Sequence, residues 1–165
     1  MHPQVDPSPM TPPPRFTRND QLAGYSFECR DEMGMIDFPS FAEAFAAFPW
    51  GEQMRQREKM AGGCSATISV VDEEQDFVWW VSVMGNDLRP TFLLGAVYSK
   101  KRRKSARVEA PCVVRWCEIR IAPSRRSVLS TFRAFFAGDH RKLMKQVRTY
   151  KLYDRGEAMM PIPKP

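Results

Sequence analysis

"CSATISVVDEEQDFVWWVSVM", residues 64–84, holds two apolar alternations of period two on either side of an acidic turn. Cys64, Ala66, Ile68 and Val70 point one way, and Ser65, Thr67 and Ser69 point the other. That is the pattern of a half-buried antiparallel strand. After the turn, Phe77, Trp79, Val81 and Val83 repeat the period. "GNDLRP" (85–90) reverses the chain, "TFLLGAVYS" (91–99) supplies a third strand, and "CVVRWCEIRIA" (112–122) a fourth. Four successive strands with short connections predict an antiparallel meander.

Helical patterns flank the strands. In "FPSFAEAFAAF" (38–48) Ser40 and Glu43 have the spacing of a capping box, and Phe41, Phe45 and Phe48 follow at helical intervals. Pro49 ends or kinks that helix, and "PWGEQMRQREKM" (49–60) resumes it as far as the glycines at 62 and 63. Downstream, Ser124 is placed to cap "RRSVLSTFRAFFAG", whose apolar stripe is Val128, Leu129, Phe132, Phe135 and Phe136. Gly138 suits the end of this helix and Asp139 the start of the next, "HRKLMKQVRTY". "AGYSFECR" (23–30) reads as one further short strand. Helices segregated from a run of strands indicate an α+β fold. The expectation is an antiparallel meander sheet of four to five strands with an N-terminal helix and two C-terminal helices packed on it.

At 165 residues, with 43% apolar and 27% charged residues, one domain is expected, spanning 21–155. Nine of the fourteen prolines lie in residues 1–14 and 161–165, so Pro-rich, disordered tails are expected at 1–20 and 156–165. No apolar run approaches the ~20 residues that span a bilayer. The first residues lack the basic start and apolar core of a secretory signal, so the reading is cytoplasmic with no membrane partner. Cys29, Cys64, Cys112 and Cys117 then read as free, buried thiols. Cys112 and Cys117, five apart on a strand, face opposite ways and do not share a metal.

The remaining chemistry is sparse. His140 is the one histidine outside the N-terminal tail, and it reads as a surface or capping residue at a helix start. Asp72, Glu73, Glu74 and Asp76 read as a solvated hairpin tip, because their spacing does not match a calcium loop. No nucleophile elbow or phosphate-binding glycine loop is present. No catalytic residue, cofactor or metal is therefore assigned, and the protein reads as a non-enzyme.

Aromatic and basic residues carry the binding expectations. Trp79 and Trp80 are adjacent in one strand and must face opposite sides of the sheet. One joins the core with Phe77 and Val81. The other, on a face with Val78 and Met84 and with Phe92, Leu94 and Ala96 if the third strand aligns that way, is either covered by a helix or exposed as a binding patch. Covered faces on both sides are the first expectation. In "VYSKKRRKSARVEAP" (97–111), six Lys or Arg fall between Lys100 and Arg107. The run contains no aromatic residue for base stacking. Three readings stand: a solvated hairpin loop of about ten residues, a contact for an acidic protein, and a contact for nucleic acid. Charge is uneven along the chain. Asp20 to Asp87 holds thirteen acidic and four basic residues (net −9), and Ser99 to Lys151 holds sixteen basic and three acidic (net +13). Such a split points to an anionic partner or to attraction between the halves.

Taken together, "CSATISV", "FVWWVSVMG", "TFLLGAVYSKK" and "STFRAFFAGDHRKLMKQV" resemble small immunity-type proteins encoded beside bacterial polymorphic or contact-delivered toxins. The resemblance spans about residues 38–150 and leans most on "FRAFFAGDHRKLM". It implies a protein that binds and occludes a cognate toxin without catalysing a reaction. Many such proteins are acidic. This chain is basic, so the implied target surface is acidic or mixed. The expected partner-binding residues are Trp80, Tyr98, Lys100, Lys101, Arg102, Arg103, Lys104 and Arg107. The alternative function is a nucleic-acid-binding accessory protein that uses the basic run at 100–107.

Overall fold

The computed structural model describes residues 15–26, 28–102 and 112–158. Among these residues seven strands form one antiparallel sheet: β1 (Phe16–Gln21), β2 (Asp31–Met35), β3 (Thr67–Asp72), β4 (Phe77–Asn86), β5 (Arg89–Arg102), β6 (Cys112–Ile121) and β7 (Leu152–Glu157). Their order across the sheet is β2-β1-β3-β4-β5-β6-β7. Four helices accompany it: α1 (Phe38–Ala47), α2 (Trp50–Lys59), α3 (Arg125–Phe136) and α4 (His140–Val147). The class is α+β, as expected. The counts are seven strands and four helices rather than four to five strands and three helices. None of the described helices is long and apolar enough to cross a membrane.

The expected meander is β3 to β6, and its apolar alternation faces a single core. Ile68 and Val70 of β3, Phe77, Trp79, Val81 and Val83 of β4, and Phe92, Leu94 and Ala96 of β5 are buried together. Against them pack Phe41 and Phe45 of α1, Trp50 and Met54 of α2, Val128, Phe132 and Phe135 of α3, and Leu143 and Val147 of α4. The Phe41 and Phe132 rings stack with centroids 3.8 Å apart, joining the first helix to the third. All four helices therefore lie on one side of the sheet. The expectation of helices on both sides is corrected: one compact phenylalanine layer accommodates the apolar stripe of every helix.

The additional strands are polar. The sheet begins at Phe16, inside the region read as a disordered tail, and β1 pairs with β3 from Phe16↔Asp72 to Gln21↔Thr67. Its core-side positions include Arg18 and Asp20, which neutralise each other as a buried ion pair. That pair takes the place of an apolar alternation, so the strand carries no periodic signal. Residues 23–30 do not form the expected strand, because Gly24 (φ +86°) turns the chain there. Gly63 lies so close that a side chain on it would press on the Gly24 backbone. The edge strands β2 and β7 are exposed along almost their whole length, so their sequences "DEMGM" and "LYDRGE" show no buried face. Of the expected tails at 1–20 and 156–165, residues 1–14 and 159–165 lie outside the described residues, while β7 continues through Gly156 and Glu157.

Helix boundaries follow capping chemistry with one change. α1 is capped three residues before Ser40, because the Asp37 carboxylate accepts the Ser40 N–H at 2.9 Å and Pro39 fits the first turn. Ser124 and Asp139 cap α3 and α4 as read from the sequence, each accepting an N–H from three residues on.

Glu73, Glu74 and Asp76 of the acidic turn are exposed as expected, but Asp72 and the late histidine are not the solvated features expected of them. Asp72 is fully buried, and His140 is 8% exposed. The Asp72 carboxylate pairs with Arg15 at 3.0 Å and with His140 Nε2 at 2.7 Å. The imidazole is sandwiched between the Phe77 and Phe135 rings, at centroid distances of 4.3 and 5.0 Å. Burial would raise the Asp72 carboxyl, but the hydrogen bonds from Arg15 and His140 hold it below the usual carboxylate value. For His140 burial dominates and lowers its pKa despite the neighbouring Asp72. Its Nδ1 is buried without a partner. A neutral ring donating through Nε2 leaves only a lone pair at Nδ1, whereas protonation would bury an orphan N–H.

Because the folded state holds His140 below its unfolded value, the unfolded chain binds the proton more readily. Stability then rises with pH through the window that ends near ~6.5, the ordinary histidine value. Urea denaturation between pH 5 and 8 is expected to show this rise. His140→Phe, which retains the stacking and loses the bond to Asp72, is expected to lower stability at pH 8 by about 1–3 kcal/mol and to flatten the slope.

Candidate functional site

The sheet face opposite the helices is built by the other residue of each alternation. From β3 come Thr67 and Ser69, from β4 Val78, Trp80 and Ser82, from β5 Leu93, Gly95 and Val97, and from β6 Cys117 and Ile119. No described helix packs there. These side chains line an open, mainly apolar cavity of about 480 Å³, bordered by Gln21, Arg30, Cys64 and Glu157. The sequence reading put Phe92, Leu94 and Ala96 beside Trp80. The register instead pairs Trp80 with Gly95 and turns Phe92, Leu94 and Ala96 into the core. "TFLLGAVYS" is apolar at both parities, so periodicity alone could not orient it.

Gly95 is the residue that shapes the floor. A Cβ on it would overlap the Cε2 and Cζ2 atoms of the Trp80 indole. The indole therefore lies flat across the β5 backbone, half-buried, rather than standing up as a knob. Glycine opposite tryptophan in a core strand pair was the one signal in the sequence that could have oriented this strand.

Ser69 and Ser82, on this face, are already engaged. Ser82 Oγ donates to the Ala66 carbonyl at 2.9 Å, and Ser69 Oγ donates to the Asn19 carbonyl at 3.2 Å. Burial pushes the Cys117 thiol up to about 11, with Asp154 and Glu118 adding to the shift, so it stays protonated at neutral pH and lines the wall as a small apolar group. Cys64 and Cys117 are free and half-buried, while Cys29 is exposed, unlike the buried thiol expected there. Among the described residues no group of three or more His, Cys, Asp or Glu is arranged to hold a metal ion. What this face offers is apolar surface with committed polar neighbours, which is the chemistry of binding.

The expected partner-binding residues do not form one patch. Trp80 lies on the open face. Tyr98 pairs with Phe77, an odd number of residues from Trp80, and so lies on the helix side. Its ring stacks on Phe77 at 5.5 Å, and burial raises its hydroxyl pKa, with Glu118 adding to the shift. Lys100 is also on that side, its Nζ 4.2 Å from the centre of the Trp116 ring. Lys100, Lys101 and Arg102 are not in a loop but in β5, paired with Val114, Val113 and Cys112. From Ser99 onward β5 pairs with β6 alone, so the two strands run on past β4 as a two-stranded arm. Arg115 ties the root of this arm to the Asp76 carbonyl at 3.1 Å. Arg103, Lys104 and Arg107 lie outside the described residues.

Replacing Gly95 by Ala is expected to lift the indole off the strand. The change should cost about 1–3 kcal/mol of stability, as overpacking does. It should also shift the tryptophan emission maximum, read by fluorescence alongside a thermal melt.

No protein-family model, no curated protein and no solved structure matches this chain.

Proposed function

We propose that this protein is a non-catalytic, cytoplasmic binding module, an inhibitor of the immunity type, whose open sheet face docks over a partner protein. The observation that carries the reading is the apolar cavity floored by Trp80, on the side of the sheet that no described helix covers. A contiguous apolar surface of this kind marks an interaction site. Tryptophan is the residue most often found at the energetic centre of an interface.

The sheet also restricts how docking occurs. Across the cavity floor, at Val78 to Ser82 of β4 and Leu93 to Val97 of β5, both neighbouring strands are in place, so the backbone groups there are already paired. Recognition is then through partner side chains entering the cavity, and its volume takes one or two large apolar groups. Arg30 at the rim orients the incoming segment, and the cations from Lys100 to Arg107 steer an acidic or mixed partner surface. Occlusion follows from size, since a preformed sheet face laid over a partner's site excludes substrate without chemistry of its own.

Co-expression with the product of the neighbouring gene tests this directly. A toxin–inhibitor pair is expected to restore growth and to elute as one complex. Trp80→Ala is expected to weaken that complex by at least about 30-fold, the effect of losing a central anchor, while retaining a native circular dichroism spectrum. Growth that is not restored, or a complex indifferent to Trp80→Ala, would sink the reading.

A further inference from the structure

We propose that the corner between α4 and the helix-side surface of β5 and β6 binds single-stranded nucleic acid, on the opposite side of the sheet from the Trp80 cavity. The proposal rests on how the fold brings aromatic rings and cations together there. In sequence the run from Lys100 to Arg107 contains no aromatic residue. In the sheet, Trp116 lies directly opposite Tyr98, and Lys100 reaches across from β5 to place its ammonium over the Trp116 ring. The cross-strand pairing thus supplies the aromatic neighbours that the linear sequence lacks.

α4 supplies the rest. Arg148, at its C-terminal end, reaches Glu118 Oε2 at 3.3 Å, and Arg120 Nη1 donates to the Tyr150 carbonyl at 3.1 Å. The end of the helix is therefore fixed against β6. Three and seven residues back from Arg148 stand Lys145 and Arg141, on the same flank of the helix. All three are exposed, while His140, Leu143, Met144 and Val147 fill the core side. Among the described residues Arg141, Lys142 and Lys145 have no carboxylate partner. The acids in register with the corner are not free to neutralise it. Glu118 is buried and held by Arg120 and Arg148, and Glu157, opposite Trp116, is engaged as well.

The geometry favours a single strand over other anions. Cations alone would suit any polyanion, but a half-buried indole with an ammonium on its face suits a flat base beside a phosphate. When Lys100 turns to a phosphate oxygen, the face it covered becomes free for stacking. A duplex keeps its bases stacked internally and cannot use that ring.

The test is fluorescence anisotropy of the full chain with a labelled oligothymidylate of about 15 nucleotides, titrated at several salt concentrations. Binding at low salt that weakens steadily as salt rises is expected. The pair Arg141→Glu and Lys145→Glu is expected to reduce affinity at least tenfold and to lower the salt slope by about 1.4, because two phosphates are no longer neutralised. Trp116→Leu is expected to weaken binding about tenfold with an unchanged salt slope, as loss of one stacked base does. The two α4 positions are exposed, so they test the surface even if replacing Trp116 disturbs the sheet. Four results would each overturn the proposal: no binding at low salt, full binding by the α4 double variant, equal affinity for a duplex regardless of Trp116, or equally tight binding of polyglutamate. Loss of binding only when Lys101 and Arg102 are replaced would move the contact away from the corner, along β5, and overturn it equally.

Discussion

One buried carboxylate organises this fold. Asp72 sits at the end of β3 and binds two residues far from it in sequence: Arg15, 57 positions before, and His140, 68 positions after. A carboxylate with no solvent contact is tolerable only when its acceptor sites are filled. Here the filling groups come from the entry to β1 and the first turn of α4. The same contact therefore joins β1 to the sheet and sets α4 across it. With Arg148 bound to Glu118 at the other end, α4 is fixed at both termini. The phenylalanines of α1 and α3 then complete a layer on that side. The apolar stripes of the described helices are satisfied there, and the far face of the sheet receives none of these helices.

The sequence revealed the parts of this fold that apolar periodicity controls. β3, β4 and β6, the caps at Ser124 and Asp139, and the break at Pro49 all follow from local rules that nothing in the fold overrides. The parts it concealed share a different physical basis. β1 is a core-side strand whose inward positions hold an ion pair, so its alternation is electrostatic rather than apolar. β2 and β7 are edges stabilised by one neighbour's ladder, where side-chain pattern matters little. β5 is apolar on both faces, so only its partner in the register decides which residues go inward. His140 and Asp72, polar in sequence and buried in the fold, could not be told from surface groups without knowing that they meet. Trp80 was expected as a contact residue and lies on the open face; its separation from Tyr98 and Lys100, on the other face, follows once β4 and β5 are aligned.

Folding does little to cancel the charge asymmetry along the chain. Between the acidic first half and the basic second half, the described side-chain pairs are Asp76 with Arg115 and Asp72 with His140. The other acids of the first half include Asp87, which pairs with Arg55 of the same half, and Asp20, which pairs with Arg18 beside it. The cations of α3 and α4 are left pointing outward. The attraction between halves that the sequence allowed is thus a minor use of the charge, and its larger consequence is a basic helical surface. The two proposed surfaces, one apolar and one cationic, thus lie on opposite faces of one sheet.

The contact between Trp80 and Gly95 supports the proposal that the open face serves binding. Glycine inside a strand costs conformational entropy and contributes no side chain to the sheet. A valine or threonine there, with a smaller residue in place of Trp80, would make a more stable strand pair. The chain instead lays its largest side chain flat over a bare stretch of backbone, which widens the cavity and holds the indole in one orientation. An anchor held in place before its partner arrives loses little freedom on binding. A local rule broken at one pair, in a sheet that otherwise obeys it, is where a functional demand is most economically placed. The cost to the strand is small, and the result is a rigid apolar floor that the remaining sequence does not use.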